Sequence, residues 1–319
     1  MTHLEVTAPD GLPEITPASD LAALVVGATT LRDGDVVVVT SKVVSKAEGR
    51  VRLGEREGAL AEETVRVVAR RGPTTIVRNR LGLTMAAAGI DASNVTAGSI
   101  VLLPLDPDAS ARGLRARLHE LTGANVGVVI TDTAGRAWRE GQTDIAIGAA
   151  GLRVTVDLAG RVDGYGNDLA VTLPAVADEI AGAADLVQGK LAGRPVAVVR
   201  GRADLVLAIG DDGPGAGSLI RPEGSDLFAY GAREAVVRAL IGADDDRAPF
   251  GRPVEADELA AAVSRVVGGA SPYAEGTLTL PAAAEQHAVA AVCFAHGWRL
   301  DAWLPGVSGV VAHVSPTTP

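Results

Sequence analysis

The sequence predicts a protein of mixed helices and strands, and three observations carry that expectation. Short β-branched runs at residues 36–39, 126–130 and 195–199 read as buried strands. They alternate with segments of helical periodicity joined by short links, as in folds where helices pack on sheets. Aromatic residues are only 3% of the 319, so the core has to be built from Val, Leu, Ile and Ala. A chain of that length can bury one large core or two ordinary ones.

Taken in order, Asp20 is placed to cap a helix over residues 21–30. Asp33-Gly34-Asp35 is a turn, and the strand at 36–39 delivers the chain to Thr40-Ser41-Lys42-Val43-Val44-Ser45-Lys46. Ser41 and Ser45 are four apart, as are Lys42 and Lys46, so each pair shares a side in a helix or in a strand. Two hydroxyls and two ammonium groups at a strand exit suit phosphate, and a lysine-protected edge strand is the structural alternative. Residues 55–71 are expected to form one amphipathic helix, ended by Pro73 and followed by a strand at 74–77. Asp91 and Asn94 offer oxygens to a cation or a nucleotide, with turn formation as the competing reading. A strand at 100–105 and a helix at 110–122 carrying Arg112, Arg115 and Arg117 come next.

Residues 126–148 form the stretch around which the chain is organised. The apolar run stops at Thr131-Asp132-Thr133, so a carboxylate flanked by hydroxyls sits where a strand leaves the core. Arg136 and Arg139 flank Trp138, and Gln142, Thr143 and Asp144 follow. Oxygen ligands at a strand end suit a hard cation, and guanidinium forks suit phosphates, although Asp132 and Thr133 could equally cap a helix or shape a turn.

Farther on, a strand is expected at 153–158, a turn-rich loop at 163–169 and a helix at 174–186, where Asp178 and Glu179 suit the helix dipole. Residues 210–217 are glycine-rich but carry two acids and no Lys-Ser/Thr, so they read as a mobile loop and not a phosphate loop. Residues 221–228 are expected to begin another helix. After about Ala243 the texture changes to an acidic, proline-terminated link, then a tail with a helix at 255–267 and an alanine-rich run through Cys293. His287, His296 and His313 in that tail match no metal-ligand spacing.

The formal net charge of −10 argues against broad nucleic-acid binding, while leaving room for an anionic small substrate held by local cations. The single cysteine, Cys293, forms no disulfide within the chain, and a reducing cytoplasm is the expected compartment. The N-terminus has no signal-peptide pattern, and no apolar run has the length of a membrane span.

Several separated blocks, in one order, resemble a known family. They are LPEI, DGDVVVVTSKVVSKAEGR, NRLGL, AAGIDASNV, LLPLDPDASA, VVITDTAGRAWREGQTDIAIG, DGYGNDL, AVADEIAGAADLVQGK, PVAVVRG and RPEGSDLF. Over residues 12–240 the chain is similar to the coenzyme F420-0:L-glutamate ligases, the γ-glutamyl ligases of F420, in their actinobacterial form. The resemblance implies an α+β, two-lobed fold over residues 1–243, in a homodimer, with a small C-terminal appendage at 244–319. It implies GTP, two divalent ions (Mg²⁺ or Mn²⁺), K⁺ as a further ion, and amide-bond formation between F420-0 or F420-1 and L-glutamate.

Carried over position by position, Leu12, Pro13, Glu14, Ile15, Ser41, Lys46 and Asn94 match guanine-nucleotide contacts, and Gln188, Gly189 and Lys190 match a looser nucleotide-facing loop. Asp91, Asp132 and Thr133 match metal ligands. Asp132, Lys46 and Arg136 are the expected catalytic groups, and Gln142 and Asp144 receive no role. The tail resembles the start of a nitroreductase-like domain but is too short for one, so the associated reductase activity is expected to be absent. Another nucleotide-dependent carboxylate–amine ligase, or a non-catalytic binder of F420 or nucleotide, are the alternative readings.

Overall fold

In a computed structural model of the chain, the structure describes residues 3–93, 95–222, 225–226, 228, 230–307 and 309–317. The chain divides into two compact units, residues 1–67 with 74–220 and residues 68–73 with 221–319. The division by compactness therefore falls after Ile220, ahead of the change of texture at Ala243.

The first unit runs β1 (Glu5–Thr7), α1 (Leu21–Ala28), β2 (Val36–Thr40), α2 (Ser41–Ala47), β3 (Val51–Leu53) and α3 (Arg56–Glu63). β4 (Thr64–Arg71) spans the division and is followed by β5 (Thr74–Asn79), β6 (Thr84–Ala86), β7 (Ser99–Val101) and α4 (Pro107–Thr122). Then come β8 (Gly127–Arg136), β9 (Arg139–Ala150), the short pair β10 (Arg161–Val162) and β11 (Asp168–Leu169), α5 (Val176–Gln188) and β12 (Val196–Arg200). The architecture is a mixed α+β one with several small sheets. The main sheet has the order β1-β12-β2-β8-β9; β2 and β8 are parallel and the other neighbours antiparallel.

Both faces of this sheet are covered, which is why its central strands are continuous apolar runs with no polar alternation. Val37, Val39, Val128 and Ile130 pack with Val25 of α1 and Leu114 and Leu118 of α4. Val36, Val38 and Val129 pack with Val176, Ala177 and Ile180 of α5. α1 and α4 begin where Asp20 and Asp106 accept from the backbone N–H of Ala23 and Ala109. At Gly148 the backbone of β9 comes so close to α4 that a Cβ would lie 2.4 Å from the Pro107 carbonyl oxygen.

β9 carries one extra residue. Ile130 faces Gly148, but the next residue, Thr131, faces Ala146. Such a bulge reverses which face the following side chains occupy. Asp178, in the first turn of α5, accepts from the backbone N–H of Ala146 beside the bulge at 2.9 Å.

Two buried ionic hubs hold this unit. Asp35 takes a two-pronged contact from Arg200, at 2.8 and 2.7 Å. Arg115 is only 5% exposed and donates to Val126 O, Asn125 Oδ1, Leu207 O, Ala208 O, Asp211 O and Asp212 Oδ1. It does not share the exposed role of its helix neighbours Arg112 and Arg117, because α4 turns this position towards the 207–212 segment.

Several expected elements differ. The helix expected over 55–71 ends at Glu63, because Thr64, Val65, Val67 and Val68 favour extended backbone. Glu63 is buried between Arg50 and Arg80, each at 2.7 Å. The strand expected at 100–105 stops at Val101, ahead of Pro104. Residues 153–158 form no strand. The 210–217 segment is anchored where a mobile loop was expected: Asp108 accepts from the backbone N–H of Ala216 at 2.7 Å and Gly217 at 3.1 Å. The described residues of 221–228 are not helical; the helix begins at Ala232.

The second unit contains α6 (Ala232–Ile241), α7 (Ala256–Val267), β13 (Tyr273–Ala274), β14 (Thr277–Leu280), α8 (Gln286–Ala295), β15 (Trp298–Gly306) and β16 (Gly309–Pro316). Its antiparallel sheet, β13-β14-β16-β15, closes on a core of its own that includes Leu259, Val263, Leu278, Val289, Cys293, Trp298 and Val314. Burial pushes the Cys293 thiol up to about 12, so it serves as a small apolar side chain.

Replacing Arg115 with Met removes a donor from four backbone carbonyls and from the Asp212 carboxylate, though Leu207 O keeps Asn125 Nδ2 and Ala208 O keeps the Asp211 N–H. Removing one member of such a buried network costs about 3–5 kcal/mol. Urea unfolding of Arg115→Met followed by circular dichroism is expected to show that loss, and a change below about 1 kcal/mol would return Arg115 to the surface.

Candidate active site

The C-terminal end of β2 lies beside the middle of β8, since the parallel register pairs Thr40 with Thr131 while β8 runs on to Arg136 against β9. One residue farther on, Ser41 opens α2, and its hydroxyl donates to Asp132 Oδ1 at 2.8 Å. Alternation along β8 decides the rest. Asp132 projects to the face that carries α2, while Thr131 and Thr133 project to the face that carries α5.

On the α2 face, Lys42 Nζ lies 2.6 Å from Asp91 Oδ2 and donates to Ser93 Oγ at 2.7 Å. Ser93 closes a turn on Asp91 through both its backbone N–H and its hydroxyl. Asp91 itself is positioned by a backbone bridge to Val101. Partial burial works to raise the Asp91 carboxyl, but the hydrogen bonds from Lys42 and Ser93 outweigh it and leave it below the usual carboxylate value. Lys46, one turn after Lys42, is 7% exposed and reaches Glu14 Oε1 at 2.5 Å, which joins the end of α2 to the Leu12-Pro13-Glu14-Ile15 loop. Ile15 and Leu12 pack into the core beneath that loop. Ser45 Oγ is buried with no hydrogen-bond partner among the described residues.

On the α5 face, Asp144 of β9 lies opposite Thr133 and is 4% exposed. It accepts from Thr131 Oγ1 at 3.0 Å and from Thr133 Oγ1 at 2.8 Å. Lys190, just past α5, donates to Thr133 Oγ1 at 2.5 Å and lies 3.4 Å from Asp144 and 3.6 Å from Asp185. Gly189, at φ +60°, turns the chain out of the helix. Gln188 is buried, and neither amide atom of its side chain has a partner among the described residues.

Asp132 is the carboxyl most affected by this arrangement. Withdrawal from water raises it, the Ser41 hydrogen bond opposes that, and the charges of Asp144 and Asp91 push it further, to about 7. Three acidic side chains therefore act on one stretch of β8, and among the described residues no arginine pairs with them there. Among the described residues, no three His, Cys, Asp or Glu side chains surround a common metal position. Asp91, Asp132 and Thr133 are each engaged by a local partner. Their chemistry nevertheless fits a divalent cation: the donors are hard oxygens, and Asp132, raised first by burial and then by the charges of Asp144 and Asp91, is a carboxyl whose ionised form a cation would favour.

Arg136 lies apart from this cluster. It pairs with Arg139 beside the exposed β8–β9 turn, and its guanidinium donates to the Glu140 carbonyl oxygen at 2.6 Å. Asn94 lies outside the described residues. Ser93 and Asp144 lie in the site without a role from the sequence, and Lys42, read there as part of a phosphate cradle, pairs with Asp91 instead. Lys42 shares a helical side with Lys46, but only the fold brings Asp91 to it. Asp144 requires the hairpin register and the bulge.

A sequence profile described as F420-0:Gamma-glutamyl ligase matches residues 11–56 and 58–201. A protein of Archaeoglobus fulgidus named coenzyme F420:L-glutamate ligase is 45% identical over 220 residues, 62% of this chain and 88% of that one. Proteins of the same name from Methanopyrus kandleri and Halobacterium salinarum are 43% and 42% identical, over 59% and 60% of this chain and 83% and 84% of theirs. No described helix is long and apolar enough to cross a membrane. The profile covers the loop before α1, both parallel strand ends and the turn after α5, and the chain belongs to the F420-0:gamma-glutamyl ligase family.

Proposed function

We propose that the protein joins L-glutamate to coenzyme F420-0, and then to F420-1, by GTP-dependent amide-bond formation in coenzyme F420 biosynthesis. The observation that carries this reading is the Ser41–Asp132 contact where β2 ends beside the parallel strand β8, in a chain of this family. Ligand sites of parallel sheets form outside the carboxyl ends of the strands. The two-lobed, homodimeric form and the likeness to actinobacterial members belong to the same reading.

An amide forms from a free carboxylate only after its oxygen has become part of a leaving group. In the proposed sequence a carboxylate oxygen of F420-0 attacks the γ-phosphorus of GTP, and the bond to the β–γ bridging oxygen breaks to release GDP. The glutamate amine then attacks the acyl carbon, the C–O bond to phosphate breaks, and inorganic phosphate leaves as the amine loses a proton. Both reacting groups of the first step are anions, so the site's first task is to bring like charges together.

Lys46 is suited to this, as a nearly buried ammonium whose ion-pair partner among the described residues is the exposed Glu14 carboxylate. Leu12 to Ile15, Ser41, Asn94 and Gln188 to Lys190 are assigned to the nucleotide. Asp91, Asp132 and Thr133 would hold Mg²⁺ or Mn²⁺, whose charge offsets that of the phosphates when bound. Asp132 and Lys46 carry the catalytic assignment, and Arg136 is assigned to a substrate carboxylate or phosphate.

Incubation with GTP, Mn²⁺, L-glutamate and F420-0 is expected to yield glutamylated F420 by mass spectrometry, with matching GDP release; GDP without a glutamyl product would overturn the reading. Asp132 has to lose its proton to ligate a cation. With its value raised to about 7, Mn²⁺ affinity in calorimetry is expected to fall as the pH drops through 7 and to be weak at every pH in Asp132→Asn. Lys46→Ala is expected to weaken GTP binding by about tenfold or more, the scale of a lost charge-assisted contact, with the glutamate KM little changed. Unaltered GTP binding would detach Lys46 from the nucleotide.

A further inference from the structure

The α5 face of the β8 end contains a carboxylate that the proposed chemistry does not use. Asp144 is almost fully buried, yet its three polar partners all belong to or adjoin the proposed site: Thr131, Thr133 and Lys190. Its position depends on the bulge in β9. With the register that holds at Ile130 and Gly148, residue 144 would face the side of Asp132. The extra residue instead sets it opposite Thr133.

We propose that Asp144 is a positioning residue for Thr133, and that Lys190 is its resident counter-ion, replaced when a divalent cation reaches Thr133. This inference rests on the ligase reading above. A hydroxyl that donates its only hydrogen to a carboxylate turns its lone pairs the other way. Thr133 donates to Asp144 and accepts from Lys190 Nζ, which also lies 3.4 Å from the same carboxylate oxygen, so the ammonium takes space beside the hydroxyl oxygen that a cation would need. A carboxylate behind a neutral ligand fixes its orientation and increases its basicity.

Lys190 is suited to leave. Its side chain is 60% exposed, it extends from a turn between Gly189 and Gly193, both at positive φ, and Asp185 offers it a second carboxylate 3.6 Å away. A lysine is a mobile point charge, unlike an arginine locked in a fork. Asp144 is buried and keeps its need for positive charge whichever cation supplies it.

The test measures Mn²⁺ binding to the nucleotide-free, full-length protein through the paramagnetic resonance signal of free Mn²⁺. Lys190→Met removes the resident charge and is expected to tighten binding by roughly tenfold, while Asp144→Asn weakens it by about 10–100-fold, the range for loss of a carboxylate behind a metal ligand. A purely structural Lys190 predicts unchanged or weaker binding in Lys190→Met, and that result overturns the proposal. Should Asp144→Asn fail to fold, the exposed Lys190→Met variant still decides the matter. Glutamate ligation by the wild type in the same preparation separates the two readings. Ligation with no tightening in Lys190→Met sinks the counter-ion role alone, whereas a wild type that neither ligates nor binds Mn²⁺ sinks both.

Discussion

The parallel register of β2 and β8 is the constraint on which the rest of the site depends, because β2 ends at Thr40 beside Thr131 and α2 therefore opens next to the point where β8 carries Asp132. From there the two-residue period of a strand does the sorting. Asp132 goes to the α2 face with Ser41, and Thr131 and Thr133 go to the α5 face with Asp144. Adjacent residues of one strand thus present oxygens on opposite sides of a single sheet edge. Their side chains are ill placed to grip one ion together, and well placed to serve two positions separated by the strand itself.

Two buried carboxylates elsewhere in the first unit have a different kind of partner. Asp35 is clasped by Arg200, and Glu63 lies between Arg50 and Arg80. These guanidinium forks match carboxylate geometry and hold it rigidly. At the strand ends the partners are Lys42, Lys190 and hydroxyls. An ammonium on a flexible stem can move aside without leaving a rigid fork unmatched. The difference in cation separates the groups that hold the fold together from those available to a ligand.

The valine runs, the Asp20 cap and the carboxylate between two threonines were legible because each is a local signal that burial or capping explains. The cradle of Ser41 to Lys46 was legible as a pattern but open in conformation, since a spacing of four fits both helix and strand; the structure makes it α2. Arg115 was not legible as a hub, because its carbonyl partners at 207, 208 and 211 are remote in sequence. The break at Glu63 was hidden by alanine and charged residues whose helical preference carries over the boundary, until the β-branched residues after it take up extended backbone. Asp144 was beyond reach for a deeper reason. A one-residue bulge decides its face, and a hairpin sequence read by strict alternation assigns it to the other one.

The arrangement also has a stability cost that helps to locate the site. Ser45 Oγ and both amide atoms of Gln188 are buried with no partner among the described residues. An unsatisfied buried polar group costs about 1–3 kcal/mol. An apolar residue at either position would avoid that penalty, so packing alone does not account for their chemistry. Ser45 lies on α2 between the Ser41–Asp132 contact and Lys46, and Gln188 ends α5 just before Lys190. These two groups lie on segments that supply site residues, one to each face of the sheet, while a further buried hydroxyl of this kind, Ser315 Oγ, lies on β16 in the second unit. Polar burial of this kind favours ligand recognition over core stability, and it occurs on both sides of the edge that Asp132 and Thr133 share.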